Sequence, residues 1–544
     1  MALPYLMEFP HQCSEQVFNR LYANALARHI AGSDPKIRRV FDVWKNTPSN
    51  TLDSPLTKNQ DLKAVMLEET PWLRQADNES QARRNVGILF DANRLNSETA
   101  RALQQLAQMQ RADGAWPWFP GGPSNDYITL YITTGFGRMR HLGVKVDMTA
   151  AVKSLARLDG WIDRIYREIK NKDANHLTST IALYLYGRSF FLDDKPIDAK
   201  HKAAVDYFLG QARQYWFRLA NRQSQAHLSV ALKRFGDAKT PQDIMRSIKE
   251  RSVSDDELGM FWRDTERSWW WYRAPIETQA MMIEAFDEVM NDVAAVEDCK
   301  VWLLKQKQTQ DWKTTKATAD AVYALLLRGS NLLASDELVQ VSLGDLNIDP
   351  KNVEAGTGFY RQRFVRGEVK PEFGKITVKK VDEGVAWGSV HWQYLEDMSK
   401  VTAYEGTPLK LTKMLFTKEH TKKGPVLKPV NGPLNVGDEL VVRVVLKTDR
   451  SMEYVHLKDQ RGSGTEPVNV LSKYKFQDGL YYYESTRDTA SHFFIDYLPK
   501  GVYVFEYSVR TQHRGRYQTG MAQIQCMYAP EFNGHSESFV LDVK

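Results

Sequence analysis

The sequence predicts a multidomain α + β chain: an α/α toroid first, then a small β module, then a C-terminal β-sandwich. Three observations predict it. Apolar residues keep a spacing of three to four from Ser14 to about Arg328, and the period changes to two after about Ser330. At 544 residues the chain is also too long for a single hydrophobic core. Hydrophobic content of 42% with 26% charged residues describes a packed chain, not a disordered one.

The first helix is set by Val17, Phe18, Leu21, Tyr22, Ala25, Leu26 and Ile30, with Gly32 where a helix stops. Residues Ala100 to Met109, Thr178 to Tyr186, Ile276 to Val289 and Thr318 to Leu327 carry the same period. Two loops repeat a theme. Gln110 to Trp116 and Gln306 to Trp312 each place a turn residue and a Trp after a glutamine-bearing helix end. Repetition of this kind points to stacked helical hairpins that bury their apolar faces only together. A ring of paired helices over residues 1–330 is the natural closed form. Beyond it, Val339 to Leu343, Val441 to Leu446 and Val502 to Val509 are rich in β-branched and aromatic residues. Turn residues at 429–433 and 435–438 separate them. Residues 331–416 form the expected β module and 417–544 the expected sandwich.

One tetrapeptide carries chemistry. Cys13-Ser14-Glu15-Gln16 sets a thiol and a carboxamide three positions apart where the first helix begins. A thiolate that attacks the Gln16 side-chain carbonyl expels ammonia and leaves an internal thioester, a stored acylating agent. At a helix N-terminus, unpaired N–H groups and the positive dipole end favour the thiolate. Apolar Leu3 to Pro10 suits the dry lining that such a bond needs. The plainer alternative is a buried structural cysteine. Cys299 and Cys526 fall in helix-like and strand-like stretches, read as core thiols without metal-ligand spacing or a disulfide framework.

Composition narrows the classes. A net charge of +6 spread over 73 basic and 67 acidic residues gives no nucleic-acid argument. No apolar run approaches the roughly 20 residues of a membrane span. The start, Met1-Ala2-Leu3-Pro4, is not a signal peptide and reads as the beginning of an excised fragment. No cofactor or metal motif is expected.

Taken together, four stretches resemble the alpha-2-macroglobulin family: Phe9 to Gln16, Asp113 to Gly122, Lys316 to Leu326, and Tyr454 to Leu541 with Met527 to Phe532. The resemblance implies the C-terminal part of a bacterial protease trap, with Cys13 and Gln16 as thioester partners and Pro10 and Glu15 supporting them. A cut in a bait segment elsewhere would expose the bond to amines of the captured protease. It further implies shielding by Phe9, Met527 and Tyr528 in an intramolecular contact of the terminal domain, a monomer, and a periplasmic or lipid-anchored place in the cell envelope. Ordinary core packing accounts for Phe9 and Met527 equally well. His11 and His176 are candidate bases, though His176 also suits a surface or cap histidine. Direct attack by amines is expected.

Two other classes compete. Asp113, Asp126, Asp264 and Glu266 near Trp269-Trp270-Trp271-Tyr272 fit a glycan-active toroid enzyme. A non-covalent interaction module fits if Cys13 and Gln16 never bond. The expectation is that the chain is not an enzyme.

Overall fold

The computed structural model describes residues 13–33, 91–263, 274–309, 314–327, 338–351, 358–381 and 388–544. Leu6, Asp42, Trp72, Trp312, Val353 and Ala386 are described besides. The chain forms two compact units. One comprises residues 1–52, 82–305 and 312–386; the other comprises 53–81, 306–311 and 387–544.

The first unit is helical. Its helices are α1 (Ser14–Ser33), α2 (Ala92–Met109), α3 (Asp126–His141), α4 (Thr149–Glu168), α5 (Ser179–Ser189) and α6 (Ala199–Tyr215). They continue as α7 (Arg222–Arg234), α8 (Thr240–Glu250), α9 (Pro275–Ala285), α10 (Val293–Thr309) and α11 (Thr315–Leu326). Short polar side chains fix several starts. Asp91, Asn125, Thr178, Asn221 and Thr314 each accept a backbone N–H from the first turn of α2, α3, α5, α7 and α11. Each of the four helices read from periodicity lies where it was expected. The one at 276–289 ends in a π turn, Phe286–Met290, closed by Asn291 at φ 52°.

The odd-numbered helices are neighbours in sequence, α1 to α3 to α5 to α7 to α9 to α11, and α11 packs back on α1. The even-numbered α2, α4 and α8 lie against α1, α3 and α7 respectively. One buried cluster, from Leu6 to Leu327, runs through all of them. Two small sheets also belong to this unit: a hairpin of β1 (Val253–Asp255) and β2 (Gly259–Phe261), and a three-stranded sheet with β3 (Gln340–Leu343) flanked by β4 (Leu346–Asn347) and β5 (Ile376–Lys379).

The second unit is built of antiparallel sheets. A five-stranded sheet has the order β10-β14-β8-β6-β7, and a six-stranded one the order β11-β12-β13-β9-β16-β17. In the first, β6 spans Leu409–Thr421, β7 Gly424–Pro429, β8 Glu439–Thr448, β10 Thr465–Pro467 and β14 Gly501–Thr511. In the second, β9 spans Met452–Gln460, β11 Lys473–Gln477, β12 Leu480–Thr486, β13 Ala490–Leu498, β16 Ala522–Cys526 and β17 Asn533–His535, while β15 (Gly515–Gln518) pairs with β18 (Val540–Val543) in a sheet of two. Alternate residues of both sheets, among them Leu409, Leu440, Val444, Phe505, Val455, Phe493 and Ile524, share one buried cluster. Within it Lys413 and Asp459 pair at 2.6 Å, and Tyr507 donates to the same carboxylate at 2.7 Å. The expected boundary at 416/417 falls inside β6, whose pairing with β8 begins at Leu409, so this sheet starts earlier than the sequence suggested. No described helix is long and apolar enough to cross a membrane.

Candidate functional site

The candidate site is the first turn of α1. Cys13 occupies the position before the helix, and its carbonyl accepts the Val17 N–H at 3.0 Å. Its side chain is 7% exposed. The backbone N–H groups of Glu15 and Gln16, in the same first turn, favour charge on the Cys13 sulfur. Burial nevertheless outweighs those N–H groups and pushes the thiol up from its ordinary value. The expectation of a favoured thiolate is therefore corrected: burial disfavours charge on the sulfur more than the helix-start N–H groups favour it.

Two distant segments close on this turn. Ser14 donates through Oγ to the Pro117 carbonyl at 2.5 Å and through its N–H to the Trp118 carbonyl at 3.0 Å. That loop follows α2 and is shaped by Gly114 at φ +86°, where a Cβ would stand 2.6 Å from the Lys153 carbonyl oxygen. Fully buried Trp116 anchors it by donating Nε1–H to the Leu106 carbonyl at 2.8 Å. From the other side, Thr315 of α11 donates to Glu15 Oε1 at 2.9 Å, and Asn19 donates to the same oxygen at 2.5 Å. Tyr131 of α3 donates to Asn19 Oδ1 at 2.7 Å. Lys316 adds its charge nearby while bound to Asp320 at 3.3 Å and Glu277 at 3.7 Å. Three stretches singled out in the sequence thus converge on one helical turn.

Sequence reasoning missed Thr315, Asn19 and Tyr131. Asn19 carried a signal, since it stands one helical turn after Glu15 on the same face. Phe9, Pro10 and His11 lie outside the described residues. His176 is engaged elsewhere: its Nε2 lies 2.7 Å from the Asn171 carbonyl, and its N–H donates to Gln211 at 2.8 Å. The other two cysteines are core thiols. Burial drives Cys299 well up and Cys526 up to about 12.

Residues 409–531 match the family model for the bacterial alpha-2-macroglobulin MG10 domain. Over 481 residues, 81% of this chain, the sequence is 22% identical to an alpha-2-macroglobulin homolog of Nostoc sp. (strain PCC 7120 / SAG 25.82 / UTEX 2576). The chain thus carries a match to the bacterial alpha-2-macroglobulin MG10 domain and is similar to an alpha-2-macroglobulin homolog well beyond it. It spans 23% of the length of the Nostoc protein. Among solved structures it is similar to trypsin-activated alpha-2-macroglobulin from Escherichia coli, with 15% identity and a TM-score of 0.43 over 84% of this chain and 30% of that one. It is also similar to native Escherichia coli alpha-2-macroglobulin from domain MG7 to the C-terminus, with 14% identity and a TM-score of 0.36 over all of this chain and 75% of that one.

Two residues of the alpha-2-macroglobulin resemblance fall within the MG10 match. Met527 is 1% exposed and packs with Trp72 and Phe494; Tyr528 lies partly buried beside them, its ring against Tyr454. Trp72 Nε1 donates to Asp496 at 2.5 Å. The acids weighed for a glycan-active site are occupied otherwise. Arg157 binds Asp126 at 2.8 Å and Asp113 at 3.4 Å. Slight burial of Asp113 is outweighed by the Ala115 N–H, the Ser124 hydroxyl and Arg157, which hold its carboxyl below the usual range. Residues 264–272 lie outside the described residues.

Proposed function

We propose that Cys13 Sγ and the Gln16 side-chain carbon form an internal thioester, and that this chain is the acylating part of a larger alpha-2-macroglobulin-type protease trap. One observation supports the reading: Cys13 and Gln16 share the first turn of a buried helix start held by Pro117, Trp118 and Thr315, where the Gln16 backbone N–H favours charge on the sulfur. The bond would form with loss of ammonia from Gln16. Its reaction with a target amine makes an amide at the Gln16 carbon and releases the Cys13 thiolate. The burial that raises the thiol also stabilises the uncharged thioester, because its departure would create a charge in a dry place.

The architecture belongs to the same proposal. The helix neighbour order supports an α/α toroid thioester domain over 1–330, and the two sheets sharing a core support a terminal β-sandwich. Residues 331 to about 408 would then be the β module. Protease cleavage of a bait segment elsewhere in the longer protein would trigger the trap. Phe9, Met527 and Tyr528 would shield the bond beforehand, Pro10 and Glu15 would support it, and His11 or His176 would serve as a base only if amines do not attack directly. A monomer at the bacterial cell envelope, on the extracytoplasmic side, fits this reading.

Intact mass tests it. The folded chain should weigh about 17 Da less than its sequence requires, and methylamine should add about 31 Da while freeing one thiol. Cys13→Ala and Gln16→Glu should each abolish both changes. An unaltered mass with three inert thiols, without the gain of about 1 Da that marks hydrolysis, would falsify the thioester.

A further inference from the structure

Glu15 lies between the two thioester partners in sequence, and the bond itself uses no atom of its side chain. Its carboxylate is nonetheless held with care. Oε1 accepts both the Thr315 hydroxyl at 2.9 Å and the Asn19 amide at 2.5 Å, and Asn19 is itself fixed by the Tyr131 hydroxyl at 2.7 Å. Oε2 takes no hydrogen bond from any described residue. Among the described residues, one oxygen is clamped and the other takes no partner, on the residue between the proposed thioester partners.

We propose that Glu15 is the general base for acyl transfer from the Cys13–Gln16 thioester to primary amines, an inference that rests on the thioester reading above. A neutral amine, such as a lysine side chain of the target, bonds to the Gln16 acyl carbon. As the nitrogen becomes cationic, Glu15 Oε2 takes one proton from it. The carbon–sulfur bond then breaks, and the electron pair leaves with Cys13. The proton on Glu15 passes to that thiolate, so the net products are an amide at residue 16 and a Cys13 thiol, with Glu15 restored.

The electrostatics fit each step. Burial raises Glu15 above the ordinary carboxylate range, while Thr315, Asn19 and the Lys316 charge restrain the rise. A carboxylate moved toward neutrality is a better base than an exposed one. The Glu15 charge is felt at the Cys13 sulfur, and burial raises that thiol too, from an ordinary value far above that of a carboxylate. Proton transfer from Glu15 to the departing thiolate is therefore downhill. A carboxylate is too weak a base to activate a neutral hydroxyl well, so the device selects amines.

A structural clamp of α1 onto α11 would use the same contacts, and the experiment separates the two. The full chain is prepared as wild type, Glu15→Gln and Thr315→Val. Intact mass and thiol titration first verify the thioester in each. Methylamine capture is then followed between about pH 5 and 9, with rates expressed per unprotonated amine. Glu15→Gln, which preserves shape and hydrogen bonding, should slow capture about 100-fold at neutral pH and remove the acid limb of the profile. Thr315→Val should keep the plateau but move that limb to higher pH, since loss of the hydroxyl lets Glu15 rise further. A fully bonded Glu15→Gln protein that reacts within about twofold of wild type overturns the proposal. An unmoved limb in Thr315→Val also overturns it, and decides the matter if Glu15→Gln does not form the bond. A wild-type chain without the mass deficit sinks the thioester reading instead.

Discussion

At the scale of single residues, the site depends on a missing side chain as much as on those present. Gly135 of α3 faces Phe18 of α1, and a Cβ there would lie 2.2 Å from the ring carbon Cζ. The ring has no room to yield, since Tyr22, Tyr131 and Phe136 surround it at centroid distances of 5.8, 5.8 and 5.5 Å. Gly135→Ala should therefore cost about 1–3 kcal/mol by overpacking. Phe18 is two residues beyond Gln16, so the displaced helix should also form less of the proposed thioester. Denaturant midpoint and thiol titration, measured on the same preparation, check both effects. A stability loss with full thioester content would show that the helix start is held independently of its packing.

At the scale of elements, the helical core contains a polar line that joins α3, α5, α7, α9 and α11. Arg138 of α3 binds Asp320 of α11 at 2.5 Å and Tyr186 of α5 at 3.0 Å; Tyr186 donates to Glu284 of α9 at 2.5 Å, which accepts from Arg234 of α7 at 3.0 Å. Burial alone would push Arg138 down, but Tyr186 and the Asp320 and Glu284 charges hold it well above its ordinary value. Removing one partner leaves a buried charge. Arg138→Met should cost about 3–5 kcal/mol, and the double variant with Asp320→Leu should recover much of that loss in a denaturation cycle. This line also marks where the sequence stops being legible. Periodicity locates helices such as 178–186 and 318–327 because apolar stripes repeat locally. It cannot show that Arg138 reaches Asp320, for the partners are 182 positions apart. Cys13 and Gln16 could be proposed from the sequence because they are neighbours, and the proposed chemistry needs no third residue. Thr315 was not, because only the packing of α11 on α1 brings it to Glu15. The start of the five-stranded sheet was misplaced for a related reason: Leu409 to Leu415 alternates like any strand, and its pairing with β8 decides where it belongs.

At the scale of the whole molecule, the sheet unit carries a built-in response to acid. His456 of β9 and His492 of β13 stack at 5.2 Å, with Nε2 of one 3.0 Å from Nδ1 of the other. That contact needs one ring to donate and its neighbour to accept, so a second proton would set two N–H groups against each other. Burial, then the facing charges of His492 and Lys458, lowers His456 to about 3; burial, then Lys458 and Arg487, lowers His492 to about 4. Both rings are free to protonate at about pH 6.5 once unfolded, so the unfolded state binds more protons between that value and the folded ones. Stability contributed by the neutral pair is thus present above about pH 6.5 and lost as pH falls toward 4 and 3. Asp459 pulls the opposite way, since burial raises its carboxyl. Hydrogen exchange of peptides covering 452–498 should therefore quicken between about pH 7 and 5 after correction for intrinsic rates. Replacing both rings, His456→Gln with His492→Gln, should flatten that response. An equally acid-sensitive double variant would assign the loss to other groups, with Asp459 excluded by its sign.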